Sequence, residues 1–247
     1  MGPSPTPATS HTDPILPRIR NDLRNAADHA TQQSFQRFFR EDVTYYGVKT
    51  GTVAQIAKKY WKEIKNHTKQ EIFALCEELL RSDYTEEAFI VSFWVPLLVH
   101  QFTREDFPVF ERWIQRYINN WAKCDSFCNH SVGDFLQKYP ECVTELRRWA
   151  RSENRWTRRA AAVSLIVPAK RGEFLDDVFA IADLLLADQD DLVQKGYGWL
   201  LKEASRKHPH EVFQYVQTHK NVMPRTALRY AIEILPKELK AEAMEKE

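Results

Sequence analysis

From Pro14 onward, apolar residues recur every three or four positions through nearly the whole chain, the period of one buried helix face. Ile56, Ala57, Tyr60, Trp61 and Ile64 make one such stripe, and Ile72, Leu75, Cys76, Leu79 and Leu80 another. No alternating run long enough for a half-buried strand competes with them. Seven glycines in 247 residues are too few for the turns of an all-β fold. The chain is therefore expected to be all-α. Breaks are expected at Gly47/Gly51, His67-Thr68, Ser82-Asp83, Pro140, Gly172, His208-Pro209 and Met223-Pro224. Thr68, with Glu71 three residues on, and Ser152, ahead of Asn154, suit helix N-caps. Pro140 and Pro209 suit helix starts or linking turns.

The helices also repeat. Tyr84–Val99, Asn119–Leu136, Asn154–Val167, Asp191–Ala204 and Pro224–Leu235 each set a polar or turn residue ahead of a helix rich in small residues. Their spacing of about 35 residues is that of paired-helix solenoids. Ala160, Ala161, Ala162 and Gly196 let neighbouring helices approach closely. Stacked pairs curve and leave a concave face on which a long ligand can lie. The expected architecture is an all-α, right-handed solenoid with a positively charged concave face, formed by residues 14–240. A disordered N-terminal tail is expected at 1–13, rich in Pro, Ser and Thr, and a C-terminal tail at 241–247.

Charge must be segregated for that face to be basic, because the formal net charge is only +1. Arg147, Arg148, Arg151, Arg155, Arg158 and Arg159 cluster within a few turns, and Lys123, Lys195, Lys202, Arg206, Arg225 and Arg229 take related places in other repeats. Such rows bind phosphate backbones without reading sequence; they also occur as plain solvated faces. No run of about 18 apolar residues is present, so no membrane span is expected. The start, MGPSPTPATSHTDP, lacks the basic and apolar regions of a secretory signal. Four irregularly spaced cysteines, at 76, 124, 128 and 142, suggest reduced thiols in a cytoplasmic protein. Cys124, Cys128, His130 and Cys142 fit no common zinc spacing. Gly47–Gly51 lacks the spacing and ending of a phosphate loop, and no nucleophile elbow occurs. Neither a metal nor a cofactor is expected.

The chemistry-bearing stretch is Asn119–Phe127, NNWAKCDSF. Trp121 and Asp125 fall four residues apart on one helix face. A carboxylate one turn from an indole suits a cationic, sugar-like transition state. Trp199, in Gly196-Tyr197-Gly198-Trp199, supplies a second tryptophan in a similar setting. Each residue alone also suits a packing role, since a tryptophan at helical spacing is more often core than functional.

The segments FQRFFREDVTYYGVKTGTVAQIAKKYW, WAKCDSF, SENRWTRRAAAVSLI and DLVQKGYGWLLKEASRKHP carry a resemblance. The chain resembles the HEAT-like-repeat DNA alkylation repair proteins, the AlkD family of alkylpurine DNA glycosylases, over nearly everything after residue 14. The resemblance implies that Trp121, Asp125, Arg159 and Trp199 line a DNA-facing surface, with Asp125, Trp121 and Trp199 catalytic. It implies excision of cationic N3- and N7-alkylated purines from duplex DNA, in base excision repair, by a monomer. Asp125 would stabilise positive charge on the deoxyribose and orient the attacking water, Trp121 and Trp199 would pack on the sugar, and Arg159 would hold a flanking phosphate. It further implies that the damaged base need not be enclosed in a deep pocket. Arg151, Arg155, Arg158, Lys123 and Lys195 join Arg159 as expected DNA contacts, with Phe38 at a place where the family often has tyrosine. Asn119-Asn120 and Ala122-Lys123 replace the aromatic or charged pair often found around the first tryptophan. A non-catalytic DNA-binding solenoid would keep the arginines without depending on Asp125. A protein-binding scaffold would present apolar and acidic residues on its concave face instead.

Overall fold

The computed structural model describes residues 15–39 and 41–245. The tail expected at 1–13 lies outside the described residues. Sixteen α-helices occur among those residues, and no strand. They are α1 (Ile15–Asn25), α2 (His29–Phe38), α3 (Thr50–Ile64), α4 (Lys69–Arg81), α5 (Thr85–Trp94), α6 (Phe107–Tyr117), α7 (Trp121–Phe127) and α8 (Gly133–Lys138). There follow α9 (Leu146–Trp149), α10 (Arg155–Val163), α11 (Ile166–Arg171), α12 (Leu175–Leu185), α13 (Asp191–Ala204), α14 (Pro209–His219), α15 (Arg225–Ala231) and α16 (Lys237–Met244). Helix α16 runs through the boundary expected at residue 240.

The order of packing follows the sequence period. One row of helices stacks in series, α3 on α5, α5 on α7, α7 on α10, α10 on α13 and α13 on α15. A second row, including α4, α6, α9 and α12, backs the first through α4–α5, α6–α10, α9–α10 and α12–α13 contacts. Hydrogen bonds between corresponding places recur at the same interval: Asn120 to Thr85 and Thr226 to Asp191 each span 35 residues. The core between the rows is aromatic, with Trp94, Trp113, Trp149, Phe110, Phe127 and Phe135 almost wholly buried. Each such side chain contributes roughly 1.5–3 kcal/mol of burial.

Local chemistry sets the helix ends. Thr68 and Glu71 form a reciprocal capping box at α4. Asn120, Asn154 and Asp190 cap α7, α10 and α13 by accepting backbone N–H bonds. The cap of α10 is thus Asn154 and not the expected Ser152, whose hydroxyl instead accepts from the Asn154 N–H. Gly172 closes α11 in the left-handed region, at φ 92°. The break at 150–154 also divides the arginine cluster: Arg147 and Arg148 belong to α9, and Arg155, Arg158 and Arg159 to α10.

Two buried carboxylates at the start of α5 fix the loop between α2 and α3. Glu86 accepts the backbone N–H groups of Tyr46, Gly47 and Val48 at 2.8–3.0 Å. Glu87 accepts from the Tyr46 hydroxyl at 2.7 Å and pairs with Arg20. Helix α2 is itself thinly packed, with only Thr31 buried. It is held from its ends, by Asp28 N–H to Gly47 O and by Gln32 to Tyr46 O.

Candidate active site

Helix α7 opens on Trp121 because Asn120 adopts extended backbone and its side chain accepts from Lys123 N–H at 2.9 Å. One turn later Asp125 faces α10. There the Arg159 guanidinium grips it with two parallel bonds, Nε to Oδ1 at 2.8 Å and Nη2 to Oδ2 at 2.7 Å. A third N–H of Arg159 goes to the Leu192 carbonyl at the start of α13. Arg159 therefore ties three successive helices together. Gly196 makes room for it: a Cβ there would lie 3.4 Å from Arg159 Cγ.

Trp121, Asp125, Arg155, Arg159, Lys195, Trp199 and Phe38 border one cleft of about 840 Å³. Burial pushes the Asp125 carboxyl above its ordinary value, while the charge and hydrogen bonds of Arg159 pull it back. Burial opposes the charge on Arg159, and Asp125 more than compensates, so the guanidinium is held more firmly protonated. The bidentate geometry is that of a carboxylate paired with a cation.

Arg159 departs from its expected part. Its side chain is 6% exposed, and three of its N–H donors are committed to Asp125 and Leu192. It positions Asp125 in place of offering an open phosphate contact. Lys123 departs further. Its side chain is 2% exposed, and Nζ bonds the Asp83 carbonyl and carboxylate at 2.7 and 2.6 Å. Asp83 follows α4 with φ 67°, in the left-handed region. Lys123 thus serves the α4–α5 junction and is withdrawn from any ligand surface.

The remaining cations are paired too. Arg155 meets Glu41 and Asp190, Arg158 meets Asp188, and Lys195 meets Asp191. Arg147 pairs with Asp177 and Arg148 with Glu111. Arg151 is exposed and donates to the Arg147 carbonyl; it and Arg158 lie outside the cleft lining. The cleft places four carboxylates, Glu41, Asp125, Asp190 and Asp191, among three cations, Arg155, Arg159 and Lys195. At these positions the expected free basic row is a lattice of ion pairs.

Three contributors were not legible beforehand. Phe39, next to the expected Phe38, stacks on Trp121 with ring centroids 5.4 Å apart and planes at 25°. Phe38 is 68% exposed at the cleft edge. Tyr230 of α15 and Glu41 complete the lining. Phe39 and Glu41 flank the end of α2, where the chain leaves helical geometry, so helical spacing does not say which of them turns inward. Tyr230 reaches Trp199 only through α13–α15 packing.

A family model described as DNA alkylation repair enzyme matches residues 19–235. No curated protein sequence matches the chain significantly. Among solved structures, a predicted DNA alkylation repair enzyme from Enterococcus faecalis superposes with a TM-score of 0.76 at 17% identity, covering 85% of this chain and 97% of that one. AlkD2 from Streptococcus mutans gives 0.62 at 19% identity, covering 90% and 99%. The smu.31 protein of Streptococcus mutans UA159 gives 0.55 at 20% identity, covering 76% and 99%. These three likenesses concern the fold.

Proposed function

The chain belongs to the DNA alkylation repair enzyme family, and from that membership we propose that it is an alkylpurine DNA glycosylase acting on cationic N3- and N7-alkylated purines in duplex DNA. The observation that carries the reading is the meeting of Asp125 with Trp121 and Trp199 in one cleft, the carboxylate fixed in place by Arg159.

The chemistry follows from the lesion. Alkylation at N3 or N7 leaves the purine positively charged, so it departs with the glycosidic electron pair without help from a strong general acid. Positive charge then builds on the deoxyribose. A preorganised carboxylate favours that charge more than it favours the ground state, which is what lowers a barrier. Asp125 also accepts a proton from the water that attacks the anomeric carbon. The Trp199 indole and the uncovered side of Trp121 add cation–π attraction. Pairing with Arg159 makes the Asp125 site close to neutral, so an approaching phosphate backbone does not meet an isolated anion. Exchange of Glu41 and Asp190 for DNA phosphates would free Arg155 for the backbone.

The test is single-turnover release of 7-methylguanine from methylated duplex DNA. Wild type should release it, and Asp125→Asn should be slower by about 10²–10³-fold. Equal rates would remove Asp125 from the mechanism. A protein-binding scaffold is the second reading, drawn from the four carboxylates of the cleft; it requires neither base release nor DNA affinity.

A further inference from the structure

A second cavity, of about 800 Å³, lies between α2 and the α5–α7 pair. It shares Phe38, Trp121 and Asp125 with the first cleft. Its walls are aromatic: Phe35 and Phe39 on one side, Phe89 and Phe93 on the other, Trp121 between. Its polar end is formed by Asp125, Ser126, Asn129 and His130. A π-helical turn, Cys128–Val132, follows α7 and presents Asn129 and His130 to this space. The Asn129 side-chain oxygen is buried there without a hydrogen-bond partner in the protein, a costly arrangement unless something donates to it.

We propose that this cavity receives the alkylated purine itself, turned out of the duplex, and reads its positive charge. The ligand class rests on the glycosylase reading above; the recognition rests on the cavity. Aromatic faces stack on any base, and they attract a cationic ring further. The Asp125 carboxylate at the mouth adds electrostatic preference for the cation. Asn129 Oδ1 accepts from an exocyclic amine or ring N–H at the far end. Asp28 and Lys49 also border the cavity and interact with each other, so they add little net charge. Because Asp125 belongs to both spaces, a base seated here leaves its sugar against the carboxylate in the adjoining cleft. A neutral purine would keep only the stacking.

Equilibrium dialysis of the full chain against 7-methylguanosine, at mildly acidic pH where it is cationic, and against guanosine tests this directly. The methylated nucleoside should bind about tenfold more tightly, the discrimination of one good cation–π contact. Phe93 is 38% exposed and Ala30 is exposed, so both can be changed without opening the core. Phe93→Ala removes a wall and Ala30→Trp fills the space. Each should lower 7-methylguanosine binding several-fold and slow 7-methylguanine excision, while affinity for unmodified duplex stays unchanged. Equal binding of the two nucleosides overturns the proposal. So does excision by wild type that neither variant alters, an outcome that leaves the glycosylase reading standing. Selective nucleoside binding lost in both variants, with no excision by wild type, would sustain the cavity and sink the glycosylase reading.

Discussion

Arg155 on α10 bonds Glu41, 114 residues earlier in the chain, with Nη2 2.9 Å from Oε1. The bond joins the segment after α2 to the middle of the helix stack across the cleft, and it occupies a cation suited to a DNA phosphate. Both side chains are about one-third exposed, so the pair contributes little stability on its own. Glu41→Gln should therefore tighten binding to duplex DNA a few-fold and steepen the dependence of log K on log salt by about one unit. A fluorescence-anisotropy salt series reads both. Weaker binding by the variant would show that Arg155 does not meet the backbone.

The Asp125–Arg159 pair calls for a control in any catalytic test. Removing one partner of a buried pair strands the other, at a cost of up to about 3–5 kcal/mol. Urea unfolding should show Arg159→Gln and Asp125→Asn both destabilised, and the double variant more stable than the sum of the single losses implies. Excision should stay about 10²–10³-fold down in the double variant, because the carboxylate is gone. Recovery of excision together with stability would mean that the carboxylate acts only through folding.

Gly196 and Gly198 lie two residues apart on α13 and should respond differently. A Cβ at Gly198 would sit 2.7 Å from Tyr230 Cβ and 2.8 Å from the Ala227 carbonyl oxygen, so the α13–α15 contact must open. Gly198→Ala should destabilise by about 1–3 kcal/mol and slow excision through displacement of Trp199 and Tyr230. At Gly196 the nearest atom is Arg159 Cγ at 3.4 Å, an ordinary contact. Gly196→Ala should be neutral or stabilising, by at most about 1 kcal/mol from helix propensity. Thermal unfolding of the two variants decides; a loss of similar size in both would contradict the packing described.

Asp83 should mark the acid limit of stability. Burial alone would raise its carboxyl, but the hydrogen bond and charge of Lys123 outweigh burial and hold it below its ordinary value. A carboxyl depressed in the folded state contributes stability above its unfolded pKa, about 3.9, and loses it as pH falls through the folded value. Urea midpoints of wild type should thus drop below about pH 4 more steeply than those of Asp83→Asn. Parallel curves would assign the acid sensitivity to other carboxylates.

The helices, their caps and their period come from interactions between residues at most four apart, and these can be read directly. The apolar stripes of α3 and α4, the Thr68–Glu71 capping box and the whole extent of α13 at Asp191–Ala204 follow from spacing and side-chain type. The placement of Trp121 one turn before Asp125 is likewise a property of any helix that contains them. What the cations do is different in kind. Arg159 meets Asp125 across 34 residues, Lys123 meets Asp83 across 40, and Arg155 meets Glu41 across 114. An arginine row looks the same on paper whether it faces solvent, phosphate or carboxylates on the next helix. Only stacking the repeats brings those carboxylates within bonding distance, buries Lys123, and turns Phe39 onto Trp121 while leaving Phe38 exposed. Local hydrogen bonding and apolar period determined the helices; desolvation and pairing between repeats, which exist only once the stack has formed, decided the charge and shape of the cleft.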